Sequence, residues 1–504
     1  MSASNSAKSA REALSSLYAG ESKPWLVLGK GPSLNKLAQI DTSGYNLAGL
    51  NHIVASHKLN LAHIVDLEVI DQIADAIYEN CKHLVMPWFP HVKFRAGSKN
   101  LDELANNNQL LGKLRAEERL LYYDLGTAKS KNEELDPIEV RFFSSEALLA
   151  LLGNCGFREI RTIGIDGGSK YAAAFDNLSD KVRLANGVAS FDAQFIQFPH
   201  IINRYNLDLG PVDQECPVPI FVGASENEWL STRVLEYSIK KHSSISIDLI
   251  PLNTVNRNFS LPVKPESRPR TPFSFHRLLI PELKNYQGRA IYLDSDMLVL
   301  KDIRKLWITD NSDDNMSVTS ADIHCARAKT EQQKNSRFSV MVLNCDKLKW
   351  KIEDIVESLD KGEISYEELM HQMAIADDIR DSIPPEWNTL DSYERGLTGL
   401  IHFTNMSTQP WLKAGHPCGD IWIKYLREAI DDGFITREEL QTQVDLEHVR
   451  PGLLEELGYG TKLDDSSFVP PHMRSQSQDE PDLGTQKTEQ RISLKDRIAG
   501  FFSK

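Results

Sequence analysis

Ile291-Tyr292-Leu293-Asp294-Ser295-Asp296 is the stretch from which the fold of this chain can be read. Three apolar residues in a row, closed by acidic ones, fit a strand buried on both faces of a mostly parallel sheet. Open α/β sheets hold their ligands beyond the carboxyl ends of such strands. Alternate residues of an extended segment point the same way, so Asp294 and Asp296 can face one ion. Two hard anionic oxygens suit Mn²⁺ or Mg²⁺, with a diphosphate completing the shell. An acidic turn that merely caps a strand reads the same way, and a bare Asp-x-Asp often arises by chance.

Outward from this motif the pattern is that of an α/β domain over residues 219–460. It opens on the strand Ile220-Phe221-Val222-Gly223, followed by a helix over 228–242 and a strand over 245–251. A helix over 273–283 leads into the strand before Asp294, and a helical stretch over 421–457 closes the unit. A second α/β domain precedes it, over residues 23–205. There Trp25-Leu26-Val27-Leu28 breaks into Gly29-Lys30-Gly31-Pro32-Ser33, with further strands expected near 61–65, 84–86 and 160–165 and a helix over 145–152. The fold class expected is α/β, two Rossmann-like domains. Residues 206–218, rich in Pro, Gly and Asp, read as a linker. Residues 1–22 read as a flexible leader with one short helix, and 461–504 as a disordered tail. The tail ends in a short amphipathic helix carrying Ile492, Leu494, Ile498, Phe501 and Phe502 beside basic residues. Such a helix fits a membrane surface, a partner, or docking on its own domain.

With 504 residues the chain exceeds one hydrophobic core, and 41% hydrophobic with 25% charged residues is ordinary globular composition. A formal charge of -14 argues against nucleic acid as a partner, which needs basic surface. The six cysteines lie far apart with no C-x-x-C pair, so neither a zinc site nor a disulfide framework is expected. No signal peptide or membrane span is legible, and the expected setting is cytoplasmic, with peripheral contact at the inner face of the membrane open through the last helix.

Several ordered blocks between residues 219 and 415 resemble glycosyltransferase family 8. They are Pro219-Ile220-Phe221-Val222-Gly223 with residues 234–244, residues 273–283 running into 289–299, Pro385-Glu386-Trp387-Asn388, Ile401-His402-Phe403-Thr404, and Gln409-Pro410-Trp411. The resemblance implies a GT-A type fold and a retaining transfer of sugar from a nucleoside-diphosphate donor, UDP-linked by expectation, to a glycan or glycolipid acceptor. It implies a divalent metal, Mn²⁺ or Mg²⁺, held by Asp294, Asp296 and His402, and a donor site drawing on Gly223, Ala224, Ser225, Arg277, Ser295, Gln409 and Trp411. His402 alone would equally well be a packed, hydrogen-bonded histidine, and Arg277 a surface ion pair. Where relatives carry Asp-Gln-Asp this chain has His371-Gln372-Met373, so no catalytic residue is assigned. Where a Lys commonly precedes Pro-Trp it has Gln409.

In the first domain, Gly29 to Leu34, Gly49-Leu50-Asn51 and residues 156–167 resemble 6-hydroxymethylpterin pyrophosphokinase-like domains and family 42 sialyltransferases. The resemblance implies a nucleotide or its phosphate among Gly29, Gly31, Ser33, Asn51, Ser145, Asp166 and Tyr171. A loop needing glycine only for its shape reads the same way. Lys30 stands where an Asn is expected, and no histidine is placed to serve as base. The leading expectation is a glycosyltransferase of bacterial-type surface-glycan assembly. The alternatives are a first domain that is the main enzyme, as a CMP-sugar transferase or diphosphokinase, and a scaffold that only binds nucleotide sugars.

Overall fold

The structure, a computed structural model, describes residues 6–471 apart from 94, 127–130, 132–136, 142, 179–189, 272, 309–320, 329–336, 461–464 and 466–467. The expected C-terminal amphipathic helix lies outside the described residues. Among the described residues no helix is long and apolar enough to cross a membrane.

The first domain is built on β1 (Lys8–Ser9), β2 (Trp25–Leu28), β3 (Asn46–Leu50), β4 (Leu59–His63) and β5 (Cys81–Pro87). A small hairpin of β6 (His91–Val92) and β7 (Arg95–Ala96) follows, then β8 (Leu120–Tyr123), β9 (Glu159–Ile163) and β10 (Asp208–Pro211). Eight of these form one sheet in the order β1-β8-β5-β4-β3-β2-β9-β10, and every pair in it is parallel. Every side chain of β2 is buried. Leu26 and Leu28 pack into one core while Trp25 and Val27 pack into the other, because a parallel sheet is covered on both faces. From β2 the chain runs towards β3 on one side, and it returns later to place β9 on the other. The sheet therefore has its switch point between β2 and β9, where Gly29 and Gly164 end the two strands. There the loops touch: a Cβ on Gly29 would lie 2.2 Å from the Gly164 carbonyl oxygen, and Gly164 itself has φ +72°.

Two segments differ from their sequence reading. Within the expected leader, Lys8–Ser9 pairs with β8 and the helix Ala10–Leu17 buries Leu14 in the core. Within the expected linker, β10 closes the first sheet. Gly and Pro are tolerated there because β10 is an edge strand. Gly210 is required, since a Cβ would meet the Cys216 sulfur at 2.4 Å. The stretch also fastens the domains together, with Leu209 N–H donating to Ser246 Oγ (2.7 Å) and Ser246 N–H to the Leu209 carbonyl (2.8 Å). Arg304 of the second domain adds a contact, its guanidinium 4.3 Å over the Phe195 ring.

The second domain contains β11 (Val218–Gly223), β12 (Ile247–Pro251), β13 (Arg289–Asp294), β14 (Met297–Val299), β15 (Ile323–Ala326), β16 (Val340–Asn344), β17 (Ile379–Ile383), β18 (Thr389–Leu390) and β19 (Leu400–His402). Its main sheet runs β12-β11-β13-β16-β15-β17, and β14-β19-β18 form a small sheet beside it. Along β13, Ala290 and Tyr292 enter one core while Ile291 and Leu293 enter the other. The helix Trp229–His242 packs Leu230, Val234 and Tyr237 into a further core with Trp422 and Leu426 of the helix Gly419–Asp431. Burial of both faces of the main sheet, and of β14 and β19 beside it, fixes where β13, β14 and β19 finish. Those ends make the site.

Candidate functional site

β11 and β13 are parallel neighbours, and their register sets Gly223 beside Asp294 at their carboxyl ends. The chain then turns through Ser295, whose N–H donates to the Gly223 carbonyl (3.0 Å), and enters β14. β14 runs antiparallel to β19 with Met297 opposite His402. Phe403 N–H donates to the Asp296 carbonyl (2.8 Å), which ties the end of β19 to the acidic turn. His402 Nε2 consequently lies 3.2 Å from Asp296 Oδ1 and 3.9 Å from Asp294 Oδ2. One ligand atom from each of Asp294, Asp296 and His402 lies within 4.8 Å of the others.

Each member is held from behind. His402 Nδ1 is 2.9 Å from Asn388 Oδ1, so the ring donates there and presents Nε2 to the carboxylates. In the neutral ring, Nε2 and Asp296 Oδ1 are then two acceptors facing each other. Asp296 Oδ1 is buried and, among the described residues, has no hydrogen-bond partner. Such an arrangement calls for a proton or a cation between them. Gln409 Nε2 donates to Asp296 Oδ2 (3.2 Å) and to the Phe403 carbonyl (2.9 Å). The Tyr292 hydroxyl donates to Asp294 Oδ1 (2.6 Å), and Arg277 brings its guanidinium to 3.8 Å from the same oxygen. Arg277 is buried, so its charge acts inside the site and not at the surface.

The electrostatics follow from this crowding. Burial pushes the Asp296 carboxyl above its ordinary range. Burial works against a charged His402, but Asp296 and Asp294 outweigh it and raise the imidazole. Glu228 is raised by burial, against the hydroxyl and N–H of Ser225 that it accepts. Ser295 Oγ donates to the other Glu228 oxygen (2.9 Å), so Glu228 braces the acidic turn from below.

The structure thus gathers Gly223, Ser225, Arg277, Asp294, Ser295, Asp296, His402 and Gln409 around one point through these contacts. Ala224 is buried in the adjoining core. Trp411 goes elsewhere: it packs against Phe403 and Trp422 in the core beneath. Tyr292, Glu228 and Asn388 belong to the site and carry no signature of their own in the sequence. Asn388 stands in the quoted Pro-Glu-Trp-Asn block, which is the nearest thing to a signal. His371-Gln372 lies in the helical turn Glu368–Gln372, and Met373 is core. Of the carboxylates near it, Glu367 pairs with Arg270 and Asp378 with Arg380.

In the first domain, Gly29, Gly31, Asn51, Ser145, Asp166 and Tyr171 line one cavity of about 770 Å³ at the switch point. Ser33 is turned inward: its N–H donates to Asp166 Oδ2 (2.7 Å) and its Oγ accepts from Gly164 N–H (2.7 Å). Ser145 donates to Gln194 Oε1 (2.8 Å).

Residues 231–415 match the model of glycosyl transferase family 8. The second domain of this chain therefore carries a glycosyltransferase domain, and its acidic turn and His402 fall inside the matched span. A curated relative, Protein CDI of Arabidopsis thaliana, is 29% identical over 234 residues, covering 42% of this chain and 87% of CDI. Among solved structures, the galactosyltransferase LgtC, in complex with donor and acceptor sugar analogs, is 13% identical with a TM-score of 0.29, covering 45% of this chain and 100% of LgtC. The glycosyltransferase GlyE of Streptococcus pneumoniae is 17% identical with a TM-score of 0.31, covering 43% of this chain and 64% of GlyE.

Proposed function

We propose that the second domain is a metal-dependent, retaining glycosyltransferase that takes sugar from a nucleoside-diphosphate donor, a UDP-sugar, and passes it to a glycan or glycolipid acceptor. The observation that carries this reading is the convergence of Asp294, Asp296 and His402 on one point, with Asp296 Oδ1 buried and unpartnered. Two carboxylates and an imidazole fit Mn²⁺ or Mg²⁺, and His402 Nε2, turned towards the carboxylates, fits a ligand role. A divalent ion in that place supplies Lewis acidity at the leaving diphosphate.

The chain's own residues do the positioning. Gly223 is side-chain-free at the strand end, where Tyr292 leaves no room for a Cβ. Asn388 holds the ring of His402, and Gln409 holds the second oxygen of Asp296. Arg277 contributes a buried positive charge beside Asp294, where negative charge gathers as the donor breaks. The donor stretch is read as Gly223, Ala224, Ser225, Arg277, Ser295 and Gln409 around the acidic pair, with Trp411 as core support for the segment that carries Gln409.

The test is release of UDP from common UDP-sugars by the full chain with Mn²⁺ and candidate acceptors. Wild-type release that falls to background in Asp294→Asn and in Asp296→Asn supports the reading. Failure of the wild type to release UDP from any of them, or turnover of Asp294→Asn at the wild-type rate, would overturn it.

A further inference from the structure

Arg450 lies outside the matched span of residues 231–415, yet only 1% of its side chain is exposed. A guanidinium at that depth is costly unless its donors find acceptors. Here they do. Nε–H donates to the Pro410 carbonyl (2.9 Å), one terminal nitrogen donates to Glu456 Oε1 (2.7 Å) and Asp465 Oδ2 (2.8 Å), and the other donates to Glu456 Oε2 (2.8 Å). The backbone N–H of Arg450 donates to the Trp411 carbonyl (2.8 Å). Val449 and Leu453, on either side of it, enter the core that holds Phe403, Trp411 and Trp422.

The grip falls on a segment that the acidic turn depends on. Gln409 directly precedes Pro410, and its Nε2 donates to Asp296 Oδ2 (3.2 Å) and to the Phe403 carbonyl (2.9 Å). Pro410 has no N–H of its own, so the chain after Gln409 is fastened by its carbonyls. The Gln409 carbonyl closes a turn with the N–H groups of Leu412 (2.8 Å) and Lys413 (2.9 Å), and the next two carbonyls both go to Arg450.

A second stretch of chain fixes Arg450 in turn. Asp465 falls within the expected disordered tail, but its Oδ1 accepts the Gly452 N–H (2.7 Å) while its Oδ2 meets the guanidinium. Gly452 is required for that approach, since a Cβ there would lie 2.1 Å from Asp465 Oδ2. Phe468 packs against the same core as Trp411.

We propose that, given the metal site read from Asp294, Asp296 and His402, Arg450 is a positioning residue for it: Arg450 holds the Pro410 and Trp411 carbonyls so that Gln409 fixes Asp296 Oδ2 and leaves Oδ1 to the cation. Residues 450–456 and Asp465, beyond the matched span, are then part of the support of the site.

Binding of Mn²⁺ to the full chain, followed by electron paramagnetic resonance, tests it in wild type, Arg450→Lys, Gln409→Ala and the double variant. A lysine ammonium is a point charge without the planar fork that serves both carboxylates and the Pro410 carbonyl. Arg450→Lys is expected to weaken Mn²⁺ binding about tenfold, the lower end of what partners of metal ligands contribute. In the Gln409→Ala background the same substitution should cost less than about twofold, because the residue through which it acts is gone. A general loosening of the fold would cost the same in both backgrounds. If Arg450→Lys does not fold, Glu456→Gln carries the same cycle from a carboxylate that is 35% exposed, with a several-fold loss that disappears in Gln409→Ala. The proposal is overturned if the folded variant binds Mn²⁺ as wild type does, or if its loss is equal in the two backgrounds. Failure of wild type to bind Mn²⁺ at all overturns the metal reading beneath it as well.

Discussion

His402 Nε2 faces Asp296 Oδ1 across 3.2 Å, and among the described residues no other group donates a hydrogen bond to that oxygen. The pairing depends on β14 and β19, which set Met297 opposite His402 and so bring the histidine back to the acidic turn. A single relationship between distant residues therefore decides the geometry of the acidic turn.

The ring of His402 is aimed by Asn388, so Asn388→Ala should free it to rotate while leaving the fold in place. Partners in this position typically contribute about 10–100-fold to metal affinity or activity. Titration of Mn²⁺ followed by electron paramagnetic resonance should show a loss in that range. An unchanged affinity would mean that His402 is packing and not a ligand.

Protons and cations compete for this site. His402 holds its proton more tightly in the folded chain than its ordinary value of 6.5, because Asp296 and Asp294 outweigh burial. The stability this gives the metal-free protein is complete below pH 6.5 and is lost as pH rises through the folded value. A bound cation takes over from the proton, so the gain in melting temperature from Mn²⁺ should grow as pH rises from about 5.5 to about 8. Scanning calorimetry with and without Mn²⁺ reads it directly, and a gain that shrinks with pH contradicts it.

Gly223 has its neighbour's hydroxyl where a side chain would start, with a Cβ falling 2.2 Å from Tyr292 Oη. Gly223→Ala must displace the hydroxyl that donates to Asp294. Overpacking of this kind costs about 1–3 kcal/mol, and UDP release should fall with it. Urea unfolding and the release assay on one preparation measure both.

The first residues are part of the fold. Leu14 is fully buried against the first sheet, so Leu14→Ala should destabilise by about 2–5 kcal/mol, readable by denaturant unfolding. A dispensable leader would show almost no change.

Strands with buried side chains throughout, such as Trp25–Leu28 and Arg289–Asp294 between its two end residues, were legible because apolar runs of that length have few other homes. The acidic turn was legible for the same reason, since it ends such a run. β10 was not: its Gly and Pro read as loop, and only its edge position makes them acceptable as strand. Lys8–Ser9 is too short to show a period of its own, and its pairing with β8 is a long-range event.

The sequence by itself determined that the chain is α/β, that a pair of carboxylates follows a buried strand, and that His402 ends another apolar run. These are local properties, set by hydrophobic period and by where it stops. Only the tertiary structure decided that His402 meets Asp296, that Asn388 and Gln409 aim them, that Trp411 is core, and that Asp166 occupies the turn where a phosphate was expected. Those outcomes depend on sheet register and on which buried polar atoms find partners, and both are fixed by contacts between residues far apart in the chain.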